Sequence, residues 1–242
     1  MILANVRQQL TRDDAQLLLR LVGRGSSLEL DRAEVTLRDH GIDSLLDEPR
    51  VLRALLEARQ GCHASMPLFS YVVVRHALRE IGEHDRMIAD YVASVLMSFG
   101  ARDRAHRVGA ADDERYDTLA ELARDVEGGD VQRSFLVRAH MGNYALWLSG
   151  LYPDYIEHRC LRRGGPDLEY YEDMGRRGFQ LAGDHRMAND HGMAPLFHAV
   201  AAAFSKLRVA LNHVSDRLLF PQNNSPERLM RQVRDDFLWK PA

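Results

Sequence analysis

Cysteine is almost absent from this chain of 242 residues. The only two, Cys62 and Cys160, lie far apart, and neither belongs to a Cys-x-x-Cys pair or to a Cys/His spacing typical of a metal site. Low cysteine content is usual in reducing compartments, so we expect two free thiols and no disulfide. The sequence therefore argues against a disulfide-stapled secreted fold and favours a cytoplasmic protein.

Long apolar runs are also missing. No stretch approaches the roughly 20 residues needed to span a bilayer. The first residues, MILANVRQQLTRDD, have neither the basic nor the apolar part of a signal peptide. We therefore expect no membrane partner, which agrees with a cytoplasmic location.

Lysine occurs only at Lys206 and Lys240, so 30 of the 32 basic residues are arginine. The formal net charge is −3, whereas a domain that binds nucleic acid normally has a strongly basic face. We therefore predict no nucleic-acid partner. Arginine can bind anions bidentately, but its even spread along the chain favours the codon usage of a GC-rich, bacterial genome over a dedicated anion site.

Strand signals are scarce, since alternating Val, Ile and Thr runs joined by Asn-Gly or Asp-Gly turns are nearly absent. The one β-branched run, YVVVR at 71–75, lies inside a helical pattern. Helix start and stop residues recur instead, for example Ser26 with Glu29, then Gly41. The sequence predicts an all-α fold, a single domain over 1–242 built from antiparallel helical hairpins.

Two segments are apolar on nearly every side, which is typical of buried helices. They are 131–152 and 194–220, and we predict them to be the two central helices around which the others pack. The polar, aperiodic stretch 100–112 is predicted to be an exposed loop or lid. If the chain divides there, its parts are 1–99, with the N-terminal helices, and 113–242, the C-terminal helical core.

Motifs of common catalytic and nucleotide-binding sites are absent. There is no Gly-x-Ser-x-Gly nucleophile elbow, no Gly-x-x-x-x-Gly-Lys-Ser/Thr phosphate loop and no Gly-x-Gly-x-x-Gly turn. Neither the Glu-x-x-His spacing of di-iron bundles nor the His-Glu-x-x-His zinc signature occurs. Whether the protein is an enzyme stays open, and no catalytic or cofactor-binding residue is assigned.

Aromatic residues concentrate in the C-terminal half, where eight of the chain's 18 fall within 135–179. A ligand pocket is mostly apolar and aromatic with a few polar groups, but so is an ordinary helical core. At 100° per residue, His140, Tyr144 and Trp147 share one face of the first central helix. The residues predicted to line a ligand pocket are Arg138, His140, Asn143, Tyr144, Trp147 and Tyr155.

A second concentration of polar chemistry is DHRMANDH at 184–191, with two Asp and two His in eight residues. Helical geometry puts Asp184 and His191 on one side but about 10 Å apart, too far to bind one ion without another helix. The predicted metal ligands therefore come from several segments, with iron, manganese or zinc as candidate ions: Glu157, His158, Asp184, His185, His191 and His198.

His76, Glu80 and His84 recur at four-residue steps, a spacing that can form a metal-binding ridge or a charge ladder facing solvent. The charged neighbours Arg75 and Arg79 favour the solvent-facing ladder. No metal is therefore predicted there.

Two functions fit these observations. The leading hypothesis is a cytoplasmic helical protein, without a cofactor, that binds a small apolar ligand or a protein partner through its aromatic C-terminal half. The alternative is a metal-dependent oxidase or oxygenase of the iron type on a helical bundle. Neither the ligand nor the oligomeric state follows from the sequence.

Overall fold

The computed structural model describes residues 1–23, 26–57, 64–101, 103–109, 112–126 and 130–238. These residues form α-helices, short turns of tighter or wider helix, and no strand, so the prediction of an all-α, multi-helix fold is confirmed. Cys62 and Lys240 lie outside the described residues. Within the described ranges, no single helix combines the length and the apolar composition that crossing a membrane requires.

The chain groups into two compact units. The N-terminal unit comprises 3–80 and 84–97, and the C-terminal unit comprises 1–2, 81–83 and 98–242. Among the described residues of the N-terminal unit, six helices begin: α1 Arg12–Gly23, α2 Ser27–His40, α3 Ile42–Leu46, α4 Pro49–Glu57, α5 Met66–Glu80 and α6 Arg86–Gly100.

Local signals place both ends of α2 as predicted, whereas Gly61, predicted to end the following long helix, lies outside the described residues. The Ser26 side chain accepts a hydrogen bond from the backbone N–H of Glu29 and so caps α2, and Gly41 ends that helix with a φ of +76°. The YVVVR run at 71–75 lies within α5 and is buried throughout. Burial outweighs the weak helix propensity of valine there, because tertiary packing supplies most helical stability.

The predicted solvent-facing ladder on α5 is wrong for His76. This side chain is buried, and its Nε2 lies 3.0 Å from the carbonyl oxygen of Leu46. Its neighbour Arg75 is also buried and donates from Nε to Oδ1 of Asp47 over 2.8 Å. Burial alone would raise the pKa of Asp47, but hydrogen bonds from Arg75 and Arg86 lower it to about 2. Arg75 and His76 therefore face inward, towards their partners, whereas Glu80 and His84 are exposed to solvent.

The C-terminal unit contains eight further helices in its described residues: α7 Leu119–Asp125, α8 Val131–Leu151, α9 Pro153–Arg163, α10 Leu168–Gly183, α11 Arg186–Asp190, α12 Ala194–Ala202, α13 Phe204–Val214 and α14 Pro226–Leu238. Helix α8 is buried along most of its length and contacts α7, α10 and α13. It is the first central helix that its apolar sequence predicts.

Helix α10 is the closest neighbour of α8, because glycines let the two backbones approach. A Cβ atom on Gly178 would lie 2.7 Å from the backbone nitrogen of Gly142 and 3.0 Å from the carbonyl oxygen of Arg138. One turn earlier, a Cβ on Gly175 would overlap the ring of Phe204. The sequence does not single out α10 as central, because glycines inside a helical pattern indicate weakness rather than close packing.

The second predicted central helix, 194–220, is divided. Helices α12 and α13 meet at Ala203 with a bend of 72°, and the chain continues through a π-helical turn at Ser215–Leu219. No Gly or Pro marks the break. Its effect is to bring Phe204, which is fully buried, against Phe179 of α10, so tertiary packing rather than a local breaker accompanies the bend.

The stretch 100–112, expected to be an exposed loop, is partly buried in its described residues. It contains a short 3₁₀ turn at Arg104–His106, and both Ala105 and Val108 are buried. The carbonyl oxygen of Ala105 lies 2.9 Å from Nε2 of His140. This segment therefore supplies a backbone acceptor to α8, which its polar composition did not indicate.

Candidate functional site

The predicted aromatic face of α8 forms a continuous series of side-chain ring contacts. The ring of His140 lies 5.3 Å from that of Phe99 and 6.4 Å from that of Tyr144, measured between centroids. Trp147 follows at 6.1 Å from Tyr144, and Tyr152 at 5.1 Å from Trp147. The three side chains predicted to share a face do so, and they contact one another as core residues do.

Two polar side chains of this face form hydrogen bonds with backbone carbonyls. His140 donates to Ala105, and the hydroxyl of Tyr144 donates to the carbonyl oxygen of Asp117 over 3.2 Å. Burial, reinforced by the positive charge of Arg104, lowers the pKa of His140 to about 3. His140 is therefore neutral at physiological pH, and the nitrogen that meets Ala105 is occupied as a donor.

The remaining predicted pocket residues lie in different surroundings. Arg138 is half-buried and reaches the carbonyl oxygen of Leu181 on α10 at 3.5 Å. Asn143 is buried on α8. Tyr155, on α9, is exposed, with the guanidinium carbon of Arg159 5.5 Å from its ring centre.

The predicted metal ligands do not meet around one point. Among the described residues, no group of three or more His, Cys, Asp or Glu side chains is arranged to hold a metal ion. His198 Nε2 and Asp184 Oδ1 are 3.4 Å apart as an exposed pair, whereas Glu157 pairs with Arg234 at 2.9 Å. His158 and His191 are exposed to solvent.

Within DHRMANDH, His185 has a structural role. It is the N-cap of α11, where its Nδ1 accepts a hydrogen bond from the backbone N–H of Met187 over 3.2 Å, and its ring stacks on Phe135 at 5.3 Å. Arg186 and Asp190 form the ion pair across one turn that their spacing predicts, at 3.8 Å. The segment therefore caps and stabilises a short helix.

A groove that the sequence did not predict lies between α9, the start of α10, and α14. Its volume is about 550 Å³, within the range of small-molecule sites. Apolar side chains on three helices form its lining, namely Leu161, Leu168 and Met230. Leu161 and Met230 are each 68% exposed, which is unusual for large apolar side chains so close together.

Charged side chains surround this apolar lining, and most of them are acidic. Four carboxylates border the groove, from Glu157, Asp167, Glu169 and Glu227, together with the guanidinium of Arg234. Asp167 is also the N-cap of α10. The groove is therefore amphipathic, with an excess of negative charge.

Glu157 is the most unusual of these carboxylates because one of its two oxygens has no hydrogen-bond partner among the described residues. Its Oε1 accepts a hydrogen bond from Arg234 Nη2 over 2.9 Å, whereas its Oε2 is buried and has no hydrogen-bond donor among the described residues. Burial raises the pKa of Glu157, an effect opposed by the nearby charges of Arg231 and Arg234. A buried acceptor without a donor costs about 1–3 kcal/mol, which a donor from a ligand would recover.

Behind the groove, ion pairs hold α14 against the rest of its unit. Arg228 pairs with Asp154 of α9 at 2.6 Å, and Arg231 pairs with Asp216 at 2.8 Å. Asp235 accepts hydrogen bonds from both Nη atoms of Arg208, a buried arginine of α13, over 2.8 and 3.0 Å. Burial alone would raise the pKa of Asp154, but its hydrogen bond from Arg228 leaves that pKa below the usual range. The wall of the groove is thereby fixed through charged pairs.

In comparisons with known proteins, no family model, curated protein or solved structure matches the chain.

Proposed function

We propose that the protein binds a small amphipathic molecule with an apolar body and one cationic group, such as an amine or guanidinium, in the groove between α9, α10 and α14. The observation that carries this proposal is the carboxylate of Glu157, a lining residue of the groove whose buried Oε2 has no hydrogen-bond donor in the part of the chain that the structure describes. A ligand cation placed there would form a charge-assisted hydrogen bond.

The other charges of the groove favour a cation over an anion. Arg234, the one basic side chain among the described lining residues, is already paired with Glu157. Asp167, Glu169 and Glu227 add negative charge around the opening and would repel a carboxylate or phosphate ligand. The apolar body of the ligand would cover Leu161 and Met230, whose exposure leaves apolar surface to be removed from water.

This proposal keeps the small-ligand function expected from the sequence but moves the site from the aromatic face of α8 to the groove. A cytoplasmic location, no nucleic-acid partner and no required cofactor remain part of it. The alternative of a metal-dependent oxidase has no observation in its favour, given that the described residues contain no suitable cluster of ligands.

Three probes of equal chain length test the proposal: octylamine, octanol and octanoate. Cys160 lines the groove, so in a Cys62→Ser chain it is the single thiol and its rate of modification reports occupancy. We expect octylamine to protect Cys160 at a concentration at least about tenfold lower than octanol, because a hydrogen bond to a charged group contributes about 1.5–3 kcal/mol. Octanoate should bind most weakly.

Glu157→Gln should remove the preference for octylamine while leaving the binding of octanol nearly unchanged. The matched control is Glu29→Gln in α2, a carboxylate that also pairs with an arginine, Arg50, at 3.2 Å but lies outside the groove. This control should bind all three probes as the parent chain does. Equal affinities for the three probes, or a preference for octanoate, would show that the groove does not select cations.

A further inference from the structure

Helix α14 has its charged and apolar faces reversed relative to a usual surface helix. The side chains that face inward are Arg228, Arg231 and Asp235, all buried. Leu229 and Val233 face outward and are 51% and 49% exposed, next to the still more exposed Met230. At 100° per residue the centres of these two stripes are about 180° apart. The apolar stripe therefore lies on the side of α14 opposite its buried charged residues, and one of its members, Met230, also lines the groove.

The outward stripe has the spacing of a helix-pairing seam. Pro226, Met230 and Val233 follow one another at steps of four and three residues, the alternation that brings apolar side chains to one line in paired helices. The ion pairs on the opposite face fix the helix, so that the stripe is held rigid before any partner binds. A rigid surface loses little conformational freedom on association.

We propose that α14 pairs antiparallel with α14 of a second copy of this chain across a two-fold axis. Charge complementarity selects this occupant and this direction. Glu227 and Arg234 lie seven residues apart on the same flank of the seam, and both are exposed. Arg234 donates from Nη2 to Glu157 of its own copy, but its side chain remains 59% exposed. In an antiparallel pair, Glu227 of each copy lies opposite Arg234 of the other, which gives two equivalent attractive pairs. In a parallel pair, Glu227 would instead lie at the same level as Glu227 of the other copy, and Arg234 at the same level as Arg234.

The size of the surface sets the strength of the association. A helix of 13 residues is about 20 Å long. Leu161, across the groove from Met230, widens the apolar area beside it. Such a surface lies at the small end of specific interfaces, so the dimer should be reversible and concentration-dependent.

The test is sedimentation velocity of the full chain up to about 0.5 mM, a range chosen because small interfaces bind weakly. Wild type should shift from monomer to dimer as the concentration rises. Glu227→Arg and Arg234→Glu, each alone, should weaken dimerisation at least about tenfold, because like charges then face each other twice. A mixture of these two variants in equal amounts should dimerise again, since position 227 of either variant then faces the opposite charge at position 234 of the other.

Two further variants test whether dimerisation depends on the apolar stripe of α14 or on exposed apolar side chains in general. Met230→Glu should abolish dimerisation, whereas Leu28→Glu, at a side chain of α2 that is 59% exposed, should leave it unchanged. Circular dichroism and urea unfolding establish that each variant is folded. Met230 and Arg234 also line the groove, so the sedimentation measurements are made without ligand. The result for dimerisation then does not depend on whether the groove binds a cationic molecule. A wild type that stays monomeric, or a mixture that fails to associate, overturns the proposal.

Discussion

A recurring feature of the described chain is a histidine ring nitrogen that meets a backbone carbonyl. His76 meets Leu46, His106 meets Tyr116, and His140 meets Ala105, at distances of 3.0, 3.0 and 2.9 Å. A carbonyl oxygen only accepts, so each of these nitrogens carries the proton. The sequence could predict the helix face of His140 but not its acceptor, because Ala105 lies 35 residues earlier in a segment without periodicity. Hence a histidine on an apolar helix, taken alone, does not indicate a ligand site.

His140 should make the stability of the protein depend on pH. Its folded pKa is about 3, against 6.5 in the unfolded chain, so the unfolded state binds more protons between these values. The free energy of unfolding should therefore fall as pH drops below 6.5, and this one group contributes a slope of about 1.4 kcal/mol per pH unit over most of that window. Urea unfolding between pH 7 and pH 4 measures the effect.

His140→Gln removes the titrating group and should flatten the profile. The variant loses packing and should be less stable than wild type at pH 7. The difference between the two free energies of unfolding should narrow as pH falls, because only wild type loses the contribution of His140. His158→Gln, at an exposed histidine of α9, is the control and should run parallel to wild type. Parallel curves for wild type and His140→Gln would mean that His140 takes up its proton over the same pH range in the folded and unfolded states, contrary to its burial.

At the scale of the element, the contact between α8 and α10 depends on the absence of a side chain. Gly178→Ala places a Cβ atom 2.7–3.1 Å from backbone atoms of α8, which cannot move without shifting the helix. Alanine is the better helix former, but overpacking against backbone should outweigh this gain and lower the free energy of unfolding by about 2 kcal/mol or more. Urea unfolding at pH 7 gives the value.

Gly100→Ala is the matched control for that change. A Cβ atom on Gly100, at the end of α6, would have no neighbour within 4 Å, and its φ needs no glycine. This variant should change the free energy of unfolding by less than about 1 kcal/mol. If both variants have the same stability, the helices α8 and α10 are not in backbone contact at Gly178.

The helices themselves were largely predictable, because caps and apolar periodicity are local. The start of α14 at Pro226 and the end of α2 at Gly41 illustrate this. The orientation of α14 was not predictable, because its apolar stripe would ordinarily be assigned to the core. Only the carboxylates of α9 and the π-helical turn, distant in sequence, explain why Arg228 and Arg231 face inward. The groove was missed for the same reason, since its lining comes from segments about 60 residues apart.

At the scale of the whole molecule, the preference for arginine over lysine coincides with the use of buried arginines in ion pairs. The even spread of arginine favoured codon usage as its origin, and four of these arginines are buried beside carboxylates: Arg75, Arg208, Arg228 and Arg231. Each unit contains such pairs, Arg75 with Asp47 in one and the network beneath α14 in the other. The planar guanidinium can meet two carboxylate oxygens at once, which an ammonium cannot.

Arg208→Lys tests whether the several donors of a planar guanidinium stabilise the fold beyond what its positive charge contributes. Arg208 donates from Nη1 and Nη2 to Asp235 and from Nε to Glu172, so one side chain joins α13, α14 and α10. Lysine keeps the charge but leaves at least one buried carboxylate oxygen without a donor, and we expect the free energy of unfolding to fall by about 2 kcal/mol.

The control is Arg176→Lys on α10, a residue 40% exposed that pairs with Glu172 and Asp173 at 3.6 and 3.3 Å. It should change the free energy of unfolding by less than about 0.5 kcal/mol, because exposed ion pairs contribute little. The same contrast should appear in salt: added NaCl should leave the cost of Arg208→Lys nearly unchanged, since buried pairs are poorly screened. A buried network that tolerated lysine would mean that net charge alone holds α14 in place, and the arginines would then be a matter of codon usage after all.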